Sequence, residues 1–153
     1  MHPDWLVPTW NAPGVGAVMT TRRGGFSVAP YDSMNLRAGI GDDDRAVRRN
    51  QALLTQVIGA SPVWLDQVHG ARVVRLTAAD ARPGAPLHEA DGCVTTERGI
   101  ACTSQVADCL PVLLGAQNSA AVAAAHCGWR GLANGVLEAA VPSADSLPTN
   151  STL

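Results

Sequence analysis

Two histidines and a cysteine stand where short apolar runs meet a turn. They are His69 in Gln67-Val68-His69-Gly70, Cys109 in Ala107-Asp108-Cys109-Leu110-Pro111, and His126 in Ala125-His126-Cys127-Gly128-Trp129-Arg130-Gly131. If these strand ends converge, two imidazoles and a thiolate make a three-ligand site for a borderline-soft ion such as zinc, with a fourth position open to water or substrate. An open position belongs to a catalytic centre rather than a structural one, and it acidifies a water enough to act as a nucleophile near neutral pH. The spacing fits no local ligand motif. The same residues also read as a buried cysteine and two histidines satisfied by hydrogen bonds. A further reading makes Cys109 a nucleophile, with a nearby histidine as base and Asp108 as the orienting partner.

Other polar residues suit a ligand. Arg130 lies just inside a predicted helix start between Gly128 and Gly131, where a guanidinium and backbone donors would hold a phosphate or a carboxylate. It also reads as a solvated surface arginine. Arg22, next to Arg23 and the pair Gly24-Gly25, admits the same two readings. Asn35 is a candidate polar anchor, although asparagine in a turn commonly serves its own backbone. Gln67 shares a predicted strand face with His69 and is a candidate substrate contact. All eleven basic residues are arginine, which excludes a lysine Schiff base or a P-loop lysine. The formal net charge of -2 predicts no broad affinity for nucleic acid or an anionic membrane.

Several elements must position these residues. Val15 to Thr20 is the first strand candidate, followed by a loop through Leu36 with more polar groups than a connection needs. Asp42-Asp43-Asp44 caps a helix running to about Ile58, with Ala46, Val47, Leu53, Leu54, Val57 and Ile58 on its apolar face and Gly59 at its stop. Pro62 to His69 reads as a strand with Val63, Leu65, Gln67 and His69 on one face. Gly70 then allows a sharp turn into a partner strand, Arg72 to Leu76. After a Pro/Gly/Ala-rich loop from Thr77 to Ala90, short strands are predicted at 92–96, 100–106 and 111–115. A last one, 121–126, is small and apolar enough to be buried on both faces. A helix follows, with Leu132, Val136 and Ala140 on one stripe. From Pro142 the chain turns polar and aperiodic, which predicts an ordered region of 1–141 and a disordered tail of 142–153.

The chain has 153 residues, of which 46% are apolar and 16% charged, so it has room for one ordinary globular domain. No apolar run reaches the length of a membrane span, and the start lacks the charged and apolar regions of a signal peptide. These features predict a cytoplasmic protein. In that compartment Cys93, Cys102, Cys109 and Cys127 are expected as thiols or ligands rather than disulfides.

Seven segments in order strengthen the first reading: 20–27, 30–36, 41–43, 64–70, 90–92, 107–112 and 125–131. Together they closely resemble the laccase-domain family, long labelled multicopper polyphenol oxidoreductases and now described as zinc-dependent purine nucleoside phosphorylases. The resemblance covers roughly residues 15 to 140. It implies a mixed α/β fold, with strands layered between helices and the metal at strand ends, and it implies His69, Cys109 and His126 as ligands. It further implies phosphorolysis of adenosine, inosine, guanosine and S-methyl-5'-thioadenosine, with adenosine deamination in the same pocket. Asp108 and Arg130 are then the catalytic candidates, and Arg22, Asn35 and Gln67 the substrate-binding ones. Cys93 and Cys102 match no ligand position and are expected as core thiols. The older label implies copper and phenol oxidation, but one His2Cys site does not make a trinuclear copper cluster and zinc carries no electrons. Family members continue beyond the final helix, so the resemblance also implies a truncated or frame-altered chain. A metal-binding fragment without activity is the third expectation.

Overall fold

The computed structural model describes residues 1–9, 11–116 and 120–145, the last four through their backbone alone. The chain packs as two compact units, Met1–Trp10 with Gly16–Ala60 and Asn11–Val15 with Ser61–Leu153.

The first unit is built on helix α1, Asp44–Ile58. The Asp43 carboxylate accepts from the Arg45 amide at 3.0 Å, and Gly59 ends the helix in the left-handed conformation at φ 65°. Both ends match the predicted capping residues. Ala46, Val47 and Leu54 are buried on the apolar face, and Asn50 is fully buried among them. Asn50 organises the polar loop. Its Oδ1 accepts from the Phe26 amide, and its Nδ2 donates to Ser27 Oγ and to the Ser33 and Asn35 carbonyls at 2.8 to 3.1 Å. The expected strand over Val15 to Thr20 reduces to an isolated bridge between Leu6 and Met19. Apolar spacing there predicts extended backbone, but among the described residues Met19 alone of this stretch forms a β-bridge.

The second unit holds a four-stranded sheet of order β3-β5-β8-β7, formed by Val73–Arg75, Gly92–Thr95, Val122–Cys127 and Leu110–Gly115 respectively. β3 runs parallel to β5, and β8 runs antiparallel to both β5 and β7. Two small parallel pairs accompany it: β1 (Ser61–Val63) with β6 (Ile100–Cys102), and β2 (Leu65–Asp66) with β4 (His88–Glu89). The architecture is the expected mixed α/β class. Val136 and Ala140 of helix α3, Val136–Asp145, pack with Ala125 and Cys127 of β8. Ala124 instead joins Val63, Leu65, Leu76, Cys93 and Ile100 in a second cluster. β8 is therefore buried on both faces, which its alanines permit. All four cysteines are free thiols, and Cys93 is fully buried.

Three local expectations change. Strand 62–69 breaks at Trp64, and its partners are β6 and β4 rather than Arg72 to Leu76, which pairs with β5 through Val73–Arg75. Periodicity fixes the buried face but carries no information on which strand lies alongside. The single helix after His126 divides into α2, Trp129–Ala133, and α3, because Gly135 turns left-handed at φ 89°. Leu132 is consequently 40% exposed while Val136 and Ala140 are fully buried. Helix α3 also continues through Asp145, past Pro142, whose missing N–H donor leaves one helical bond unmade. The rest of the expected tail, 146–153, lies outside the described residues. No helix among the described residues is long and apolar enough to cross a membrane.

Candidate metal centre

Strand register assembles the site. The pairing of Leu110 with Cys127 and of Pro111 with His126 sets Cys109, just before β7, beside the end of β8. The pairing of Gly92 with Ala125 does the same for Asp91, and the His126 amide donates to the Asp91 carbonyl at 2.7 Å. His69 arrives from the turn that follows β2. Val63, Leu65 and Gln67 alternate inward as predicted, but His69 leaves that face and is exposed. Its own φ is 62°, so the histidine and not Gly70 makes the left-handed turn.

The candidate ligand atoms of His69, Cys109 and His126 lie within 4.8 Å of one another. Cys109 Sγ is 3.8 Å from His69 Nε2, and the two imidazoles meet edge to face at 4.7 Å between centroids. A tetrahedral ion with bonds of about 2.3 Å to sulfur and about 2.0 Å to nitrogen sets those atoms about 3.5 Å apart. The donors therefore fit an ion after a small closure. Partial desolvation and the Asp108 carboxylate push the Cys109 thiol up, so Asp108 works against a free thiolate and a cation is what would displace the proton. This also weakens the reading of Cys109 as a nucleophile.

Asp91 holds the arrangement together. Its Oδ1 accepts from His126 Nδ1 and the His69 amide, both at 2.8 Å, and its Oδ2 accepts from the Gly70 and Val68 amides at 2.7 and 3.1 Å. The residue is 1% exposed. Burial works to raise its pKa, but the bonds from His126 and the three amides outweigh it and hold the carboxyl below its ordinary value. Sequence reading did not single Asp91 out as a site residue. The available signal is a lone acid at the mouth of the buried run Gly92–Thr95, where an unpartnered carboxylate would not be tolerated.

The glycines of the 125–131 segment make room for the ligands. A Cβ on Gly128 would lie 2.8 Å from Cys109 Sγ and 3.2 Å from His69 Cδ2, and one on Gly131 would lie 3.0 Å from the His126 carbonyl oxygen. Arg130 is exposed, with its guanidinium 5.1 Å from the centre of the Trp129 ring. Gln67 is engaged with backbone: its Nε2 donates to the Gln105 carbonyl and its Oε1 accepts from the Gln105 amide, both at 2.8 Å. The other two candidates belong to the first unit. Arg22 is bonded to the Asp32 carbonyl and carboxylate at 2.8 and 3.4 Å, lining a 290 Å³ open cavity with Arg23, Asp32 and Ser33. Asn35 donates to Asp42 and the Arg37 carbonyl and accepts from the Arg37 amide.

The sequence model of one protein family, described as multi-copper polyphenol oxidoreductase laccase, matches residues 16–151. The chain belongs to this family. Within it, a Pseudomonas aeruginosa protein named purine nucleoside phosphorylase PA4543 is 51% identical over 140 residues, covering 91% of this chain and 55% of the relative. The Escherichia coli protein named purine nucleoside phosphorylase YfiH is 44% identical over 150 residues, covering 95% and 59%. The crystal structure of the Neisseria meningitidis protein NMB0706 superposes with a TM-score of 0.84 at 42% identity, covering 92% of this chain and 57% of that one. The chain thus spans little more than half the length of these relatives.

Proposed function

We propose that this chain carries the metal-binding part of a purine nucleoside phosphorylase, with zinc held by His69, Cys109 and His126. The observation that supports it most is the convergence of two imidazoles and a thiol around the Asp91 carboxylate, in a chain whose relatives bear that name. A bound divalent ion would supply Lewis-acid chemistry at the open coordination position. In phosphorolysis a phosphate oxygen bonds to C1' of the ribose as the bond from C1' to the purine nitrogen breaks, leaving ribose 1-phosphate and the free base. Arg130 supplies a cation for the phosphate. Arg22 is paired with Asp32 within the first unit. Asp108, exposed beside Cys109, is positioned to exchange the proton that the departing base takes up. Trp129, 75% exposed next to Gly128, offers a flat face to a purine. Gln67 and Asn35 serve by holding their loops. The substrates are adenosine, inosine, guanosine and S-methyl-5'-thioadenosine, with adenosine deamination in the same pocket, and the reaction is cytoplasmic.

Phenol oxidation with copper is the second reading, favoured by the family description. Among the described residues this is the one His/Cys/acid group of three able to hold an ion, which is too few ligands for a multi-copper cluster. The deciding assay incubates zinc-loaded chain with inosine, with and without phosphate, and measures free hypoxanthine, while copper-loaded chain is given a phenol and oxygen uptake is measured. Phosphate-dependent base release that disappears in Cys109→Ala is the expected result. Oxygen uptake without base release overturns the phosphorylase reading in favour of the oxidase. Metal binding with neither reaction leaves the chain as a metal-binding fragment.

A further inference from the structure

We propose that Asp91 is the positioning residue of the metal centre, selecting the nitrogen that His126 presents and fixing the turn that carries His69. The inference rests on the metal reading above for its purpose and on hydrogen-bond geometry for its content. An ionised carboxylate only accepts, so the 2.8 Å contact requires His126 Nδ1 to carry the proton and leaves the Nε2 lone pair free as the ligand. The same carboxylate receives three consecutive amides, Val68, His69 and Gly70, which the left-handed His69 aims inward. His69 lies in the turn that follows β2 and His126 lies on β8, and one buried side chain sets both. The Asp91 backbone is itself fixed, with its amide bonded to the Arg72 carbonyl at 3.0 Å and its carbonyl to the His126 amide. Second-sphere carboxylates of this kind typically change metal affinity by about 10- to 100-fold.

The substitution Asp91→Asn separates this role from packing. It keeps the shape but has one acceptor oxygen, so in one orientation the Val68 and Gly70 amides face an NH2 group. In the other orientation His126 and His69 do, and His126 Nδ1 must then accept, which moves the ring proton to Nε2 and removes the ligand lone pair. The first measurement needs no variant: ¹⁵N NMR of the metal-free full chain, which reads directly which ring nitrogen carries the proton. The expected result is the Nδ1-protonated tautomer for His126, and an Nε2-protonated ring overturns the proposal. The second is zinc affinity by competition with a chromophoric chelator. Asp91→Asn is expected to bind 10- to 100-fold more weakly while its circular dichroism stays that of the wild type, and binding within threefold of wild type overturns the proposal. A wild-type chain that takes up no zinc overturns the metal reading itself, a failure distinct from a wrong tautomer.

Discussion

At the residue scale, Gly128 and Gly131 separate site geometry from stability. Gly128 has φ -64° and ψ 160°, which any residue adopts, so alanine there meets no backbone strain. It meets the end of a side chain instead, since its Cβ falls 2.8 Å from Cys109 Sγ. Gly128→Ala is expected to displace Cys109 and weaken zinc binding at least tenfold, while lowering stability by no more than about 1 kcal/mol. Gly131→Ala presses on the backbone oxygens of His126 and Gly70, at 3.0 and 3.2 Å, which have nowhere to go. That variant is expected to lose about 1–3 kcal/mol of stability. Urea unfolding and a zinc titration on both variants check the contrast, and equal effects on affinity would remove the distinction. His69, Cys109 and His126 stand out in sequence as metal-capable side chains at predicted strand ends. That pattern alone leaves a hydrogen-bonded core reading open, and the family resemblance is what selects them as candidate ligands. Asp91 does not stand out, because its role consists of hydrogen bonds to segments that the sequence does not show to be neighbours.

At the element scale, Gln67 acts as one rung of a β-ladder. Its amide exchanges two hydrogen bonds with the Gln105 backbone and so anchors the 103–109 segment, which ends at Cys109, to the strand that leads to His69. Gln67→Ala leaves both Gln105 groups unpaired. At roughly 0.5–1.5 kcal/mol per bond, it is expected to destabilise the chain by about 1–3 kcal/mol. Gln67→Glu keeps the acceptor and loses the donor, so it should recover only part of that loss, as urea midpoints would register. A full recovery would mean the carbonyl of Gln105 does not depend on Gln67. The inward face of this strand is legible from Val63, Leu65 and Gln67, and helix α1 is legible from Asp43 and Gly59, because both signals are local. Strand partners are not, since β1 and β2 pair in parallel with segments more than twenty residues downstream. The break between α2 and α3 has a local signal in Asn134-Gly135, masked by the continuing apolar stripe.

At the scale of the whole molecule, the polar loops of each unit are closed on buried or paired groups: the first on Asn50, the second on Asp91 and on Asp80. Asp80 closes the long connection between β3 and β4. Its Oδ1 meets His88 Nε2 at 2.7 Å, and its Oδ2 accepts from the Thr77 amide and hydroxyl. The His88 bond and then the Thr77 amide lower its pKa from 3.8 to about 2. A carboxyl that is more acidic folded than unfolded contributes stability in full above the unfolded value, and loses it as pH falls toward the folded one. The contribution is bounded by about 2.5 kcal/mol and is reduced by the partial exposure of the pair. The wild-type unfolding free energy is therefore expected to decline as pH falls from about 4 to about 2. Asp80→Ala should start lower at neutral pH and decline less over that window. Urea titrations followed by circular dichroism at pH 7, 4, 3 and 2 test this, and parallel curves for the two proteins would show that the clasp contributes nothing to the acid limb.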